Sequence, residues 1–453
     1  MRVFMLGWEF PPFISGGLGT ACYGLTKAMS GIGTDIMFVL PRPVATPFST
    51  HVRLVSPRAG SPLAAPSTEF RMDEFDNVTF RTVAAQMSPY NTPLDYEQMV
   101  KQERERKTRL GEAALNETST PSPVAAAKPG GPTTASGPGQ HYAGDLFTEV
   151  QRYAMLAAEI ARQEDFDVVH AHDWMTFPAG LAVAGIKGKP LVVHVHSTEF
   201  DRSGLHVDQR IYDIERRGMH GALKIIAVSH LTKNMITHHY GIDERKVEVV
   251  YNAIESNGNG FDEEKYKIHK DEKIVLFLGR ITMQKGPEYF LAAAKKVLEV
   301  MDNVKFVMAG SGDMIRRTVE MAATMGIGHK VLFTGFLRGG DVEKVFKMAD
   351  LYVMPSVSEP FGIAPLEAMS HDVPVIISKQ SGVSEVVQHA LKVDFWDINE
   401  MANKIIAVLK HPPLASTLRQ HGSFEIRRMN WVDAARSCAN IYEQAVGAMN
   451  GRR

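Results

Sequence analysis

Short runs of Val, Ile, Leu, Phe and Met recur along the chain, separated by longer stretches in which apolar residues return every three or four positions. In the first half the runs are Val3–Gly7, Asp35–Leu40, Val168–Ala171, Leu191–His194 and Lys224–Val228. In the second they are Ile274–Leu278, Lys305–Ala309, Val331–Thr334, Leu351–Met354 and Val373–Ser378. Near-uniform apolarity over so few positions suits a strand buried on both faces, and the segments of helical period between them supply the cover. The pattern predicts an α/β chain made of two parallel sheets wrapped in helices. Each run of the second half is followed by Gly, Pro or a charged residue, as expected where the carboxyl end of a buried strand opens onto a site.

The segment from about Lys101 to Gln140 breaks this rhythm. It opens on the charge run KQERERK and ends on ETSTPSPVAAAKPGGPTTASGPG, which has too little apolar surface to offset its ordering entropy. A helix is predicted near Tyr96–Leu115, followed by a disordered insertion at 116–140. A second polar stretch, Glu255–Lys270, is where the inter-domain connection is expected. The predicted division is 1–254, 255–428, and a C-terminal helix within 429–453 that packs back on the first domain.

Composition narrows the function. At about 150 residues per domain, 453 residues make two or three domains, and 44% hydrophobic with 22% charged residues is ordinary for a globular protein. Lys+Arg number 50 against Asp+Glu 51, which leaves no electrostatic basis for binding nucleic acid or an anionic membrane. Cys22 and Cys438 are the only cysteines, which excludes a disulfide framework and a CxxC zinc cage. No window approaches about 18 uninterrupted apolar residues, and MRVFMLGWEFPPF lacks the apolar core of a signal peptide. A cytoplasmic enzyme is expected.

Four groups of residues carry candidate chemistry. The run Ser15-Gly16-Gly17-Leu18-Gly19 with Glu9 lies between the first strand and a helix expected at about Thr20–Met29. Adjacent glycines admit close backbone approach, and a helix start offers free amides to an anion. The spacing is neither G-x-G-x-x-G nor a Walker motif. Arg280 and Lys285, in LGRITMQKG, are placed where a strand ends and a helix begins near Pro287, a position from which two cations can grip a diphosphate. Glu359 and Glu367, in SVSEPFGIAPLEAMS, are set in a loop and in the helix after it, about 8 Å apart along the chain. That spacing suits one elongated ligand held at two places through vicinal hydroxyls, although a pair flanking one glycosidic bond is not excluded by sequence. Finally, His170-Ala171-His172-Asp173 and His194-Val195-His196-Ser197 end two strands. Strand alternation is read here as turning His170 and His194 away from His172 and His196, so hydrogen-bonded histidines beside a polar ligand are expected rather than a metal site. Asp165-Phe166-Asp167 spells the DxD of metal-dependent sugar transferases but precedes its strand, so it is read as structural.

Together these stretches resemble the retaining glycosyltransferases of the GT-B fold, specifically glycogen and starch synthases and their glucosyltransferase relatives. The resembling segments are Trp8–Gly19, His170–Gly180, Leu191–Ser197, Leu278–Gly286, Phe306–Asp313 and Leu351–Met369, in family order and over nearly the whole chain outside 101–140. The resemblance implies two Rossmann-like domains facing a central cleft. It implies that Arg280 and Lys285 hold the leaving diphosphate, that Glu359 opens an E-x7-E pattern and contacts the transferred glucose, and that Glu367 closes it on the nucleotide ribose. Gly16, Gly17 and Gly19 would lie over the distal phosphate. His196 would face the anomeric carbon, with Glu9, His172 and Asp173 on the acceptor or catalytic side, and Ser381-Gly382-Val383 would add a phosphate contact. No cofactor or metal is expected, because the two cations replace the metal of other transferases. The expected substrates are ADP- or UDP-glucose and the non-reducing end of an α-1,4-glucan. Bacterial glycogen synthases usually carry lysine where this chain has Ser15, and often lack the second glutamate. Both departures point toward the sucrose-phosphate and trehalose synthase-like branch, so a small acceptor stays open.

Overall fold

A computed structural model of the chain describes residues 1–11, 16–41, 52–55, 68–72, 75–83, 85, 87, 146–255 and 272–451. Ser15, the helix expected at Tyr96–Leu115, the 116–140 insertion and all but the first residue of the 255–270 connection lie outside these residues.

One sheet contains β1 (Arg2–Leu6), β2 (Asp35–Leu40), β3 (Val52–Val55), β4 (Thr68–Met72), β5 (Val78–Thr82), β6 (Val168–His172), β7 (Leu191–Val195), β8 (Lys224–Ala227) and β9 (Val247–Val249), in the order β3-β4-β5-β2-β1-β6-β7-β8-β9. The other contains β10 (Lys273–Leu278), β11 (Val304–Ala309), β12 (Val331–Gly335), β13 (Leu351–Met354), β14 (Val375–Ser378) and β15 (Leu391–Val393), in the order β12-β11-β10-β13-β14-β15. Only the β3–β4 and β4–β5 pairings at one edge are antiparallel. The seven strands from β5 to β9 and all six of the second sheet run parallel, as the apolar runs predict.

Alternation along β1 shows how the first sheet is covered. Val3 and Met5 join Cys22, Leu25 and Met29 of the helix Gly17–Gly31 in one core. Phe4 and Leu6 join Tyr153 and Ala157 of the helix Leu146–Arg162 in another. The second sheet shares the first of these cores on one face and fills its other face with Phe290, Leu291, Phe306 and Ile405. Among the described residues, no helix is long and apolar enough to cross a membrane.

Strand β14 starts at Val375 rather than at the expected Val373, because Pro374 has no amide to donate and contributes only its carbonyl, to the Tyr352 amide. The first helix starts at Gly17, earlier than expected, so part of the glycine run forms its first turn.

The last helix, Trp431–Asn450, buries Ala435, Cys438, Tyr442 and Ala445 on one stripe against the helix Gly17–Gly31 and strands β6 to β8. Gly24 permits this contact: a Cβ there would lie 2.3 Å from the Trp431 indole. Gly24→Ala gains about 1 kcal/mol of helix propensity and loses about 1–3 kcal/mol to overpacking against a buried ring. At 2.3 Å the clash dominates. Gly24→Ala therefore lowers the melting temperature, and Trp431→Leu in that background costs less than it does in the parent chain. Additive losses in thermal unfolding would contradict the packing.

Candidate functional site

Because the central strands are parallel, their carboxyl ends collect on one side of each sheet. On the first sheet β1 leads to Glu9 and Gly16, β6 to Asp173, β7 to His196 and β8 to Ser229. On the second, β10 leads to Arg280, β13 to Ser356 and Glu359, and β14 to Ser381. The candidate residues thus come from strand ends, where backbone not engaged in the sheet can turn.

Asp173 makes such a turn. Its φ of 59° is left-handed, a region that aspartate tolerates better than most residues. Its carboxylate accepts the amides of His196 at 2.7 Å and Ser197 at 3.4 Å, which ties the end of β6 to the loop after β7. Burial pushes the Asp173 acid up to about 7, against the opposing pull of the His196 amide and the Arg202 charge. His196 is half-buried, and its Nε2 pairs with His172 Nδ1 at 2.9 Å. Glu9 is 2% exposed and accepts the Gly16 amide at 2.7 Å, which anchors the start of the first helix. Gly16 has an extended backbone, and a Cβ at Gly16 or Gly17 would meet no atom of the described residues within 4 Å. Packing of the described residues therefore does not require glycine at either position, and the space lies at the amides of a helix start. Gly19 is buried in the first turn.

The expected orientation of the histidines is overturned. Residues two apart on a strand share a face, and His172 is directly paired with His194 across β6 and β7. His170, His172, His194 and His196 form one column with neighbouring ring centroids 4.1–5.4 Å apart. Burial holds all four imidazoles below their usual pKa, His172 at about 3, so the column is neutral.

On the second sheet, Lys285 ends a single turn, Met283–Lys285, and is followed by Gly286 at φ 66°. A Cβ at Gly286 would lie 2.2 Å from the Pro355 carbonyl, so glycine is required for Lys285 to sit against the loop after β13. Lys285 Nζ meets the Glu359 carboxylate at 2.5 Å, and the same carboxylate oxygen accepts the Ser356 hydroxyl at 3.1 Å. Arg280 is half-buried at the end of β10. Gly310, packed on the Gly279 carbonyl, where a Cβ would come within 1.9 Å, fixes the loop beside it. Glu367 stands in the first turn of the helix Ala364–Ser370, and burial pushes its acid up to about 7.

Ser381, Gly382 and Val383 are bonded to their own surroundings. The Gly382 amide donates to the Glu359 carbonyl at 2.9 Å and the Val383 amide to the Phe361 carbonyl at 2.7 Å. The Ser381 hydroxyl donates to the Ser378 carbonyl at 2.5 Å. The segment thereby supports the Glu359 loop. Asp165 and Asp167 lie at the amino end of β6, where the Asp167 carboxylate accepts the Arg2 amide at 2.8 Å, as a structural reading requires.

Sequence reasoning missed the polar groups that join the two halves. The Ser358 hydroxyl donates to the Asp201 carboxylate at 2.6 Å, and the Ser229 hydroxyl donates to the Pro360 carbonyl at 2.6 Å. Glu385 accepts the amides of His230 and Leu231 at the start of a helix in the first half. Behind Asp201, Arg202 bridges Glu199 and Glu215, both almost fully buried, and the Tyr240 hydroxyl donates to Glu215. In sequence these are ordinary charged residues of helical segments. Their only signal is the short capping-box pattern Thr198–Asp201.

Comparison with known proteins follows the same division. Residues 2–115 match the starch synthase catalytic domain, 123–257 match glycosyltransferase family 4, and 259–423 match glycosyl transferases group 1. An uncharacterized glycosyltransferase of Methanocaldococcus jannaschii is 34% identical over 323 residues, covering 66% of this chain and 82% of that protein. A glycogen synthase of Mycobacterium tuberculosis is 24% identical over 463 residues, covering 100% of this chain and 96% of that protein. The solved sucrose-phosphate synthase of Thermosynechococcus elongatus superposes with a TM-score of 0.68 at 18% identity, over 99% of this chain and 100% of that one. Two parallel sheets with their strand ends brought together, and relatives at this coverage, lead to one conclusion: the chain belongs to the GT-B glycosyltransferases, with a likeness to glycogen and starch synthases.

Proposed function

We propose that the protein transfers glucose, with retention of configuration, from ADP- or UDP-glucose to the non-reducing end of an α-1,4-glucan. The observation that carries the reading is the pairing of Lys285 with Glu359 on a loop whose next-door residue, Ser358, is bonded to the first half at Asp201. A cation for a phosphate and a carboxylate for sugar hydroxyls are thus held together where acceptor-side residues approach.

In this reading Arg280 and Lys285 hold the diphosphate. Negative charge on the departing phosphate grows as the glycosidic bond breaks, so fixed cations stabilise the transition state more than the bound donor. Before donor binds, Glu359 neutralises Lys285 at 2.5 Å. A diphosphate competes for that lysine and leaves the carboxylate to accept glucose hydroxyls. Glu367 accepts the vicinal hydroxyls of the ribose. The open space at Gly16 and Gly17 receives the distal phosphate at the helix start. His196 faces the anomeric carbon, Asp173 fixes its backbone at 2.7 Å, and Glu9 holds the glycine loop on the acceptor side. The departing phosphate takes the acceptor proton on the same face that the acceptor attacks. The likeness to starch synthase over residues 2–115, the half that faces the acceptor in this reading, favours a glucan.

Arg280→Ala and Lys285→Ala each lower kcat by at least about 100-fold, because one donor aimed at developing charge is worth about 3 kcal/mol. Lys285→Ala also leaves Glu359 buried and unpaired, which lowers stability. Lys285→Ala/Glu359→Gln recovers the stability without recovering turnover. Steady-state kinetics and thermal unfolding of the single and double variants check both statements, and near-parental turnover in either single variant contradicts the assignment.

Glu359→Gln mainly lowers kcat, whereas Glu367→Gln mainly raises the donor KM. Glu367 accepts two hydroxyl donors only when ionised, and its acid lies at about 7. The donor KM of the parent chain therefore falls as pH rises through about 7, and that dependence flattens in Glu367→Gln. Identical kinetic signatures for the two variants would overturn the two-ended grip.

The product decides the acceptor. With labelled ADP- or UDP-glucose and maltooligosaccharide, the expected product is a ladder of longer oligosaccharides with α-1,4 linkages, formed at the same rate with or without added Mg2+ or Mn2+. Transfer only to a glucose or fructose phosphate would move the chain to the small-acceptor branch. Inversion at the anomeric carbon would remove the same-face mechanism.

A further inference from the structure

The steps proposed above are assigned to His196 and not to the inner part of the histidine column, where His172, expected on the acceptor side, lies fully buried. His170 and His172 are fully buried and His194 is 2% exposed. Their ring nitrogens are left in an unusual state: among the described residues, His170 Nε2, His172 Nε2 and both nitrogens of His194 are buried without a hydrogen-bond partner. Such groups are costly to bury, and a cluster of them in a native protein needs an explanation. One ring nitrogen from each of the three residues lies within 4.8 Å of the others, close to the spread that bonds of about 2.1 Å to a shared ion require.

The opposite edges of two rings are not orphaned. His170 Nδ1 meets the Tyr442 hydroxyl at 2.5 Å, and His172 Nδ1 meets His196 Nε2 at 2.9 Å. In His170 and His172 one ring nitrogen thus has an outer partner and the other is bare, as in imidazoles that ligate a metal.

We propose that His170, His172 and His194 form a binding site for one divalent ion of the zinc class. Three uncharged nitrogen donors suit zinc and its borderline neighbours and do not suit magnesium or calcium, which select oxygen. Cys22 offers a rival set with His172 and His196. Occupying it would break the His172–His196 bond. It would also require ionisation of a thiol that burial and the charges of Glu9 and Asp173 hold well above its usual pKa. The all-imidazole set keeps that bond intact. It lies behind His196 on the first sheet, on different elements from the cations Arg280 and Lys285, so the ion is no part of the diphosphate grip.

The ion would act on the site through one proton. With Nε2 of His172 on the metal, its Nδ1 keeps the hydrogen and donates to His196 Nε2, which places the His196 proton on Nδ1. The ion thereby selects one tautomer of His196. That consequence rests on the role given to His196 above, whereas binding of the ion does not and is measured without any transferase assay.

The test uses the full chain without a polyhistidine tag, stripped with a chelator, passed through gel filtration and then titrated with Zn2+ and with Co2+. The expected result is one equivalent of Zn2+ retained per chain and a Co2+ spectrum of low-coordinate nitrogen ligation without a thiolate band. X-ray absorption of the Zn2+ form should show imidazole scattering and no sulfur. His194→Asn weakens binding by at least about 100-fold, Tyr442→Phe by about 10–100-fold as an outer partner, and Cys22→Ser leaves it unchanged. Failure of the parent chain to retain stoichiometric metal overturns the site, and this outcome does not depend on how any variant folds. Sulfur in the first shell, or loss of binding in Cys22→Ser, overturns the ligand assignment. Unchanged affinity in a folded His194→Asn chain does the same. Activity on a glucan with no metal uptake would leave the proposed transfer standing and remove only this site.

Discussion

The direction of the strands is the constraint on which the rest of this structure depends. A parallel strand is covered on both faces, so its side chains are committed to the cores, and Val3, Phe4, Met5 and Leu6 are all fully buried. Polar chemistry is thereby driven to the strand ends, and parallel order puts those ends on one side. Glu9, Asp173 and His196 gather at the strand ends of the first sheet, and Arg280 and Glu359 at those of the second, because each follows a strand that could not accommodate it. The histidine column is the exception. His170, His172 and His194 lie within the strands themselves, and among the described residues four of their ring nitrogens are buried without a hydrogen-bond partner.

Placing charge at the margin of two cores has an energetic price that the structure offsets by pairing. A buried ion pair recovers its desolvation only with good geometry and further hydrogen bonds. Arg202 meets that condition. It contacts Glu199 at 3.1 Å and Glu215 at 2.6 Å, while Glu215 also accepts the Glu199 amide and the Tyr240 hydroxyl. Asp173 lacks a cation in contact and is held by amides, and burial leaves its acid at about 7. Carboxylates of the same chemical type are thus set to different behaviour by the company they keep. The short helix Glu199–Ser203, capped at both ends, keeps the Asp201 carboxylate aimed at Ser358.

How much of this was legible in the sequence depended on whether a residue's neighbours were local. Strands β2 and β13 match the apolar runs end to end, because full burial shows as uninterrupted apolarity. Strand β5, VTFRT, alternates buried with half-buried positions, and β15 is three residues long, so neither shows such a run. The candidate residues were recognisable by type and place, and the structure brings Lys285 to Glu359 and Asp173 to the loop of His196. The arrangement of the histidines was misread, since residues at a spacing of two lie on one face of a strand. The groups that join the halves were not legible at all. Ser358 and Asp201 are 157 positions apart and unremarkable by composition, and only the fold makes them partners.

The nature of that junction bears on how such an enzyme could work. These bonds between the halves run from hydroxyls and amides to carboxylates and carbonyls: Ser358 to Asp201, Ser229 and Thr232 to the Pro360 carbonyl, and Tyr251, His230 and Leu231 to Glu385. Polar contacts of this kind exchange with water at small net cost, about 0.5–1.5 kcal/mol each, whereas parting an apolar seam would expose surface at about 25 cal/mol per Å2. These bonds can break and re-form at small cost, while the apolar core that the two halves share holds them together. Their placement adds specificity, because Ser358 and Pro360 flank Glu359 in the chain. Opening the junction therefore moves the carboxylate that neutralises Lys285, and closing it returns that carboxylate to the cleft. In the proposed reading, opening of the junction and the charge at Lys285 are coupled through three consecutive residues.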